Sequence, residues 1–273
     1  MSIFNGMAAF GLMVALAATA LPAIAASGTA LGVDPQAEAD TAGKSRTLTV
    51  GADIFIGDKV NTGAAGTVQI KFSDNTELVV GPNSSLLIED YLLRDDQSAG
   101  KFAINALSGT FRFATGGAPK DLYSIKTPTG TIGVRGTAFD FNVDAEGTEV
   151  LLFHGAVRLC NLNGTCVTLD GTCEMGTYDL TQSTILGSPD DLTGEQREIL
   201  RAAFQFAEIQ SPLLREFWVD NARQCFNKGF VADVPPSLVV DEDDDPPADD
   251  EDPCGESYDC CGESSYYDEG CTE

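Results

Sequence analysis

Regular alternation of apolar and polar residues constrains the fold of this chain more than any other feature of its sequence. The segment GTVQIKF shows it most clearly, and KFAINAL, GTFRFAT and EVLLFHGAVRLC repeat it further along. Turn signals built from Gly, Pro, Asn and Asp recur about every 8–12 residues, the spacing of all-β sandwiches and rolls. The pattern predicts a mainly β, antiparallel-rich roll or sandwich-like domain over residues 47–180, with Phe102, Ile104, Phe111 and Phe113 facing inward.

Helix signals begin only after this β region and predict a helical extension over residues 190–230. Thr193 and Gln196 have the spacing of a capping box at the start of a first helix. Pro212 suits the first position of a second helix, whose apolar face would include Phe217. Two short amphipathic helices would bury their apolar faces most simply on the β core.

The amino-terminal residues 1–25 have the composition of a secretory signal peptide. Residues 6–20 are almost wholly apolar or small, and Ala-Ile-Ala at positions 23–25 is a suitable cleavage site. A retained membrane anchor is the alternative, because no Lys or Arg precedes the apolar run. Cleavage would export the chain to the periplasm or beyond, and no later segment is apolar enough to span a bilayer.

The small and polar residues 26–46 are expected to form a flexible leader.

The formal net charge of −26 is distributed unevenly along the chain. Residues 233–273 hold 16 acidic residues and no Lys or Arg, whereas the rest has 26 acidic against 16 basic residues. Neither part offers the basic face that nucleic-acid binding requires. Like charge and few large apolar side chains predict a disordered tail over 233–273, which would bind divalent cations weakly.

All eight cysteines follow the apolar run, and an even number in an exported chain indicates disulfides. In CNLNGTC, a three-residue loop with Gly164 in the left-handed conformation would place Cys160 opposite Cys166, where a disulfide fits. A two-residue turn would instead pair Cys160 with Val167.

Four of the remaining cysteines lie in the acidic tail and two lie outside it. Cys173, near the end of the β domain, is left for Cys225, at the end of the predicted second helix. That disulfide would join the helices to the sheet. The tail cysteines would pair among themselves, in an order that the sequence leaves open.

The stretch TPTGTIGVRGTAFDFNV places an arginine between glycines inside an apolar run. The residues expected to face inward have even numbers up to Val134 and odd numbers from Phe139. The strand must therefore switch the face that it turns inward, which requires a bulge or a corner. Gly136 can supply the unusual backbone angles there, and Gly133 would let another backbone approach closely. We expect Arg135 to hydrogen-bond carbonyl groups that the corner leaves unpaired, and the alternative is direct binding of an anion or ligand.

This stretch resembles the signature of the FecR domain, in which a Thr-Pro step leads into Ile-Gly-Val-Arg-Gly-Thr and a strand ending in Val. Upstream, GDKVNTGAAGTVQIKFSDNTELVVGPNSSLLI is similar to the first half of that domain, with Asn75 where the family often has Gly. The resemblance covers about residues 48–160. It marks a structural signature at Thr127, Pro128, Gly133, Arg135, Gly136 and Thr137.

The resemblance implies a β-rich extracytoplasmic module. In the iron-dicitrate system that names the family, this module belongs to an inner-membrane sensor whose cytoplasmic part acts on a sigma factor. Only a few residues precede the apolar run of this chain, so the sigma-regulating half is expected to be absent.

No arrangement of residues in the sequence indicates catalysis, and we expect no enzyme, no cofactor and no metal site. His154 is the only histidine and fits the end of a strand, and no GxSxG, P-loop or GxGxxG motif is present in the required context. Two functions remain. One is a periplasmic binding or sensing accessory that contacts an envelope protein or ligand. The other is a structural envelope or surface protein with a cation-binding acidic tail.

Overall fold

The computed structural model describes residues 25–93, 99–117, 123–220 and 222–227, without the side chains of residues 92, 93, 99, 100 and 227. The expected signal segment up to residue 24, the acidic tail and the four tail cysteines lie outside the described residues. The strands are β1 (Gly28–Asp34), β2 (Ala37–Thr41), β3 (Lys44–Leu48), β4 (Asp53–Ile54), β5 (Lys59–Thr62), β6 (Thr67–Phe72), β7 (Glu77–Val80), β8 (Ser85–Leu93), β9 (Ala99–Ala114), β10 (Tyr123–Thr127), β11 (Gly130–Val134), β12 (Ala138–Val143), β13 (Thr148–His154), β14 (Val157–Asn161), β15 (Cys166–Leu169), β16 (Met175–Tyr178) and β17 (Ser183–Gly187). The helices are α1 (Gly194–Ala203), α2 (Gln205–Glu208) and α3 (Gln224–Asn227), with 3-10 turns at Pro189–Asp191 and Arg215–Phe217.

The strands form two sheets that share β9 and enclose one hydrophobic core. The covered sheet has the order β4-β1-β6-β7-β9-β12-β13-β16-β17, with antiparallel neighbours throughout. The open sheet has the order β3-β2-β5-β8-β9-β10-β11-β14-β15, and its one parallel pair is β9 with β10. The predicted mainly β, antiparallel-rich and sandwich-like fold is confirmed.

Strand β9 belongs to both sheets because it bends. Residues 99–108 pair within the open sheet, and residues 109–114 pair within the covered sheet. Gly109 lies at the bend with φ +105°, and a Cβ there would stand 2.1 Å from Ser84 Oγ. The sequence suggested two separate strands here, but their inward residues are as predicted: Phe102, Ile104, Phe111 and Phe113.

The segment 26–46 corrects one prediction. It was expected to be a flexible leader, but it forms β1, β2 and the start of β3. Ala30, Ala37 and Ala39 are buried in the core, and the last two alternate with the polar residues Gln36, Glu38 and Asp40. The alternation is regular, but alanine adds little apolar area, so the segment reads as polar when judged by composition.

Two side chains of this segment also satisfy a buried carboxylate. Asp58 is fully buried, and it accepts hydrogen bonds from Thr41 Oγ1, from Arg46 Nη2 and, at 2.8 Å, from the Phe55 N–H. A buried carboxylate is stable only with such donors. The segment is therefore an integral part of the β domain.

The residues after β17 form a helical extension on the outward face of the covered sheet. Thr193 accepts a hydrogen bond from the Gln196 N–H, and Gln196 accepts one from the Thr193 N–H, so the predicted capping box is confirmed. Phe204 is fully buried in a cluster that includes Leu151 and Phe153 of β13. The extension thus gives the sandwich a second, smaller core.

The prediction of a second helix starting at Pro212 is wrong. Residues 212–220 form only one 3-10 turn, Arg215–Phe217, and the described part of the extension contains three short α-helices rather than two. The Leu214 N–H, which would have no acceptor within a helix that starts at Pro212, donates to Gln69 Oε1 of β6 at 2.7 Å. This hydrogen bond attaches the segment to the covered sheet.

A buried ion pair lies between the covered sheet and the extension. Arg112 donates from Nε and Nη2 to the Asp140 carboxylate at 2.7 and 2.9 Å, and the two side chains are 2% and 0% exposed. Arg112 Nη1 also donates to Gln210 Oε1, which accepts from the Val219 N–H as well. Burial raises the pKa of Asp140, and Arg112 acts in the opposite direction.

Both cysteine pairs expected outside the tail are disulfides. Cys173 and Cys225 are buried, 5.1 Å apart between Cα atoms, and they join the extension to the β domain. Cys160 and Cys166 lie opposite each other in β14 and β15, with Cα atoms 4.1 Å apart. Gly164 has φ +82°, so the connecting loop is the three-residue one.

The outward face of the open sheet differs from that of the covered sheet. Its side chains are exposed or half-exposed throughout the last four strands, β10, β11, β14 and β15. The residues at these outward positions are Ser124, Lys126, Thr131, Gly133, Arg158, Cys160, Cys166 and Thr168.

Candidate functional site

The six signature residues lie at the two ends of β11 rather than in one cluster. Thr127 ends β10, and Pro128 begins the tight turn from β10 into β11. Arg135, Gly136 and Thr137 follow it, where the chain crosses from the open sheet to the covered sheet. Five strand residues span about 16 Å, so the two groups cannot act on one small ligand.

The turn end is a structural site. Thr127 Oγ1 lies 3.0 Å from Tyr178 Oη and 3.1 Å from Thr148 Oγ1, and Thr129 Oγ1 is 3.3 Å from Thr148 Oγ1. All four side chains are buried. Burial raises the pKa of Tyr178 to about 12, because the phenolate would lose its hydration. The cluster stabilises the hairpin and offers no group to solvent.

The corner end is held by backbone contacts. Gly136 has φ +65°, as the predicted corner requires, and the inward face changes across it. The Thr137 N–H donates to Thr115 Oγ1 at 3.0 Å, and the Thr115 N–H donates to the Thr137 carbonyl at 3.0 Å. A Cβ on Gly155 would lie 2.3 Å from the Gly136 carbonyl oxygen. The close backbone approach is therefore at Gly155, in the turn between β13 and β14.

Arg135 does not have the role that we favoured from the sequence. Its side chain is exposed and makes no hydrogen bond or ion pair with any described residue. The corner needs no arginine, since the Arg135 N–H donates to the Ala156 carbonyl at 3.0 Å and the Thr137 carbonyl is also bonded. The interpretation of Arg135 as a partner for unpaired carbonyls is wrong.

Gly133 also differs from its expected role. A Cβ at this position would meet Arg158 at 3.7 Å or more, which is ordinary van der Waals contact. Its φ lies outside the left-handed region that favours glycine. The fold would therefore accept a side chain here, and the glycine leaves space on the outward face.

Arg135, Gly133, Ala156 and Arg158 form a square on that face. Gly133 pairs with Arg158 across β11 and β14, and the Arg135 N–H bonds to Ala156 one step further along. The arginines occupy one diagonal of the square and the small residues the other. Diagonal neighbours in an antiparallel pair are about 7–8 Å apart, so both arginine side chains start close together above two small residues.

Two adjoining clefts surround this arginine pair. One has a volume of about 340 Å³ and extends to Thr168 and Asp170, and the other, of about 190 Å³, extends to Tyr123. Both are lined by Arg135 and Arg158. The larger cleft lies at the lower end of the range for small-molecule sites.

The pair also lacks the partners that most described cations have. Six cations have a carboxylate within 4 Å: Arg46 with Asp58, Lys71 with Glu216, Lys101 with Asp90, Arg112 with Asp140, Lys126 with Glu89 and Arg201 with Glu198. Arg197 and Arg223 donate to backbone carbonyls instead, and Arg215 lies over the Trp218 ring. Arg135 and Arg158 have no such partner among the described residues, and neither do Lys44 and Lys59, which lie on β3 and β5 of the same sheet. The corner therefore carries two adjacent uncompensated charges.

Sequence reasoning missed Arg158 and Ala156. They became relevant only because β14 pairs with β11, about 25 residues away in the chain, and alternation within one strand cannot reveal its neighbour. The one available signal was the outward position of Arg158 in GAVRLC.

Two other residues singled out from the sequence occupy ordinary places. His154 is the last residue of β13 and is exposed. Asn75 adopts φ +65°, which explains how it can stand where the family often has Gly. The preceding Asp74 is buried and accepts hydrogen bonds from Tyr123 Oη and Thr76 Oγ1, both at 2.8 Å.

Residues 58–158 match the family described as FecR protein. The match includes the signature stretch, the corner and the arginine pair. This segment of the chain is therefore a FecR domain, as the resemblance implied.

Two crystal structures of one protein from Parabacteroides distasonis, described as a candidate anti-sigma factor, are also similar to the chain. Each shares 16% sequence identity with it, at a TM-score of 0.37. The similarity covers 47% of this chain and 57% of theirs, so the chain spans little more than half their length. Among curated proteins, none matches the chain significantly.

Proposed function

We propose that this chain is an exported, non-catalytic binding or sensing accessory whose open sheet contacts an envelope protein. The arginine pair at the signature corner carries the proposal. Arg135 and Arg158 are exposed beside clefts and make no side-chain hydrogen bond or ion pair with the described residues, whereas the opposite sheet is covered by the chain itself. The FecR domain supports a regulatory or sensing role.

Export is supported by the two disulfides, because such bonds persist in oxidising compartments. The apolar segment at residues 6–20 adds to this support. No helix within the described ranges has the length and apolar character needed to cross a bilayer.

A non-catalytic role is supported by where the perturbed titratable groups lie. Tyr178 and Asp140 have raised pKa values and are buried within structural networks of the core and of the helical extension. Neither lines the clefts at the arginine pair.

Site-specific photo-crosslinking in intact cells tests the proposal. A photoreactive residue at Thr131 or Thr168, on the outward face of the open sheet, should give one defined protein adduct. The matched control is Ile199 of α1, which is 63% exposed on the helical extension. Equal adducts at Ile199, or no adduct at the open sheet, would contradict the proposal. Envelope co-fractionation without any adduct would favour the structural alternative.

A further inference from the structure

We propose that Arg135 and Arg158 bind carboxylates of an acidic segment in the partner protein. This inference rests on the function proposed above and adds the chemistry of recognition. The segment would lie across β11, β14 and β15 on the open face.

The geometry of the square supports a shared anion. Two arginines on one diagonal line the same two clefts, and Gly133 and Ala156 place no large side chain between them. Planar guanidinium forks match the oxygen pair of a carboxylate. Like charges at this spacing repel each other, and a bound anion would relieve that repulsion.

The charge of the surrounding cleft favours carboxylate over phosphate. Asp170 lines the larger cleft with the arginines, so the three side chains carry a net charge of +1 rather than +2. That balance suits singly charged groups and disfavours a phosphate dianion. The overall net charge of −26 opposes acidic partners only weakly at close range, because physiological salt screens charges beyond about 8 Å.

The openness of the site favours a protein segment over a free small carboxylate. Small-molecule sites enclose about 70–90% of their ligand, but both arginines here are exposed on a sheet surface. An extended segment could contact both arginines and also reach Thr168, which pairs with Arg158 in the next strand. The affinity of the segment would then be the sum of several weak contacts.

Fluorescence anisotropy with labelled hexaglutamate and hexaglutamine tests the chemistry on the full chain. The Arg135→Gln/Arg158→Gln variant should bind hexaglutamate at least about tenfold more weakly, because two charge-assisted contacts are lost. The matched control Lys44→Gln/Lys59→Gln removes the same charge from the same sheet and should stay within about twofold. Asp170→Asn should strengthen binding.

Equal loss in both double variants, or equal binding of hexaglutamine, would overturn the proposal. Competition by acetate as effective per carboxylate as hexaglutamate would also overturn it, in favour of a free small ligand.

The crosslink at Thr168 separates failure of this inference from failure of the proposed function. With both correct, the adduct forms in the wild type and is lost in Arg135→Gln/Arg158→Gln. An adduct that persists in the variant would keep the binding function and disprove carboxylate recognition. An adduct missing from the wild type would disprove the binding function itself, and with it this inference.

Discussion

The two outward faces of the sandwich both carry arginines, but the structure uses them differently. Arg112 on the covered sheet is buried beneath the helical extension and bound by Asp140 and Gln210. Arg135 and Arg158 on the open sheet are exposed and have no partner among the described residues. In the sequence, GTFRFAT and GTIGVRGT look alike, since each places an arginine at an outward position. What lies above the sheet decides whether such an arginine stabilises the fold or remains available to a partner.

The largest expected effect is on the covered face. Arg112→Met should lower the free energy of unfolding by about 3–5 kcal/mol, because it leaves the buried carboxylate of Asp140 uncompensated. Urea denaturation measures this. The double variant Arg112→Met/Asp140→Leu should recover most of the loss. If the single variant were as stable as the wild type, the ion pair would not be what stabilises the covered face.

The same variant has an expected pH dependence. Burial raises the pKa of Asp140 and Arg112 opposes the rise, so the pKa should increase further without Arg112. A carboxyl whose pKa is higher in the folded than in the unfolded state loses stability as the pH rises through the folded value. The loss of unfolding free energy that Arg112→Met causes, relative to the wild type, should therefore be smaller near pH 5 than near pH 8.

A second test compares the two disulfides. Cys173–Cys225 closes a sequence separation of 52 residues, and Cys160–Cys166 closes one of 6. The restriction of the unfolded chain should therefore stabilise the fold by about 4 kcal/mol for the first disulfide and about 2 kcal/mol for the second. Replacing both cysteines of a pair by Ala should therefore lower Tm more for 173–225 than for 160–166. Loss of the 173–225 pair should also make the extension, but not the open sheet, exchange amide hydrogens faster. Uniform faster exchange would contradict independent docking of the extension.

A matched pair of glycine substitutions separates the two roles within the signature. Gly136→Val should destabilise the fold by about 1–3 kcal/mol, because valine disfavours φ +65°. Gly133→Val should change stability by no more than about 0.5 kcal/mol and still weaken hexaglutamate binding by filling the space between the arginines. Similar loss of stability in both would show that Gly133 is also structural.

The smallest effect on stability is expected at the arginine pair. Arg135→Ala should shift the free energy of unfolding by no more than about 0.5 kcal/mol, since the exposed side chain makes no hydrogen bond or ion pair with the described residues. Thermal denaturation checks this. A loss of several kcal/mol would restore the structural interpretation of Arg135 and remove the contrast between the two faces.

Local patterns predicted those parts of the molecule that depend on neighbouring residues. Alternation located the strands, Gly136 marked the corner, Thr193 and Gln196 marked a helix start, and the spacing of CNLNGTC indicated a disulfide. Each depends on contacts between residues that are close in sequence.

The failures have a non-local cause. The segment 26–46 was judged by its small residues. Its alanines nevertheless belong to the core between the two sheets, where larger side chains from other strands supply most of the apolar volume. The expected second helix does not form, and its Leu214 N–H is bound by Gln69 of the distant strand β6. The candidate site was found only in part, since Arg158 joins Arg135 through a strand pairing that no single-strand pattern contains.

The shared strand β9 has a consequence for folding order. One of its edges pairs with β7 and β8, which precede it, and the other with β10 and β12, which follow it. During amino-to-carboxyl synthesis, the first nine strands can assemble while that second edge still lacks its hydrogen-bond partners. An unpaired edge invites association with other chains. We therefore expect a fragment of residues 25–117 to self-associate in light scattering, and the complete β domain to remain dispersed under the same conditions.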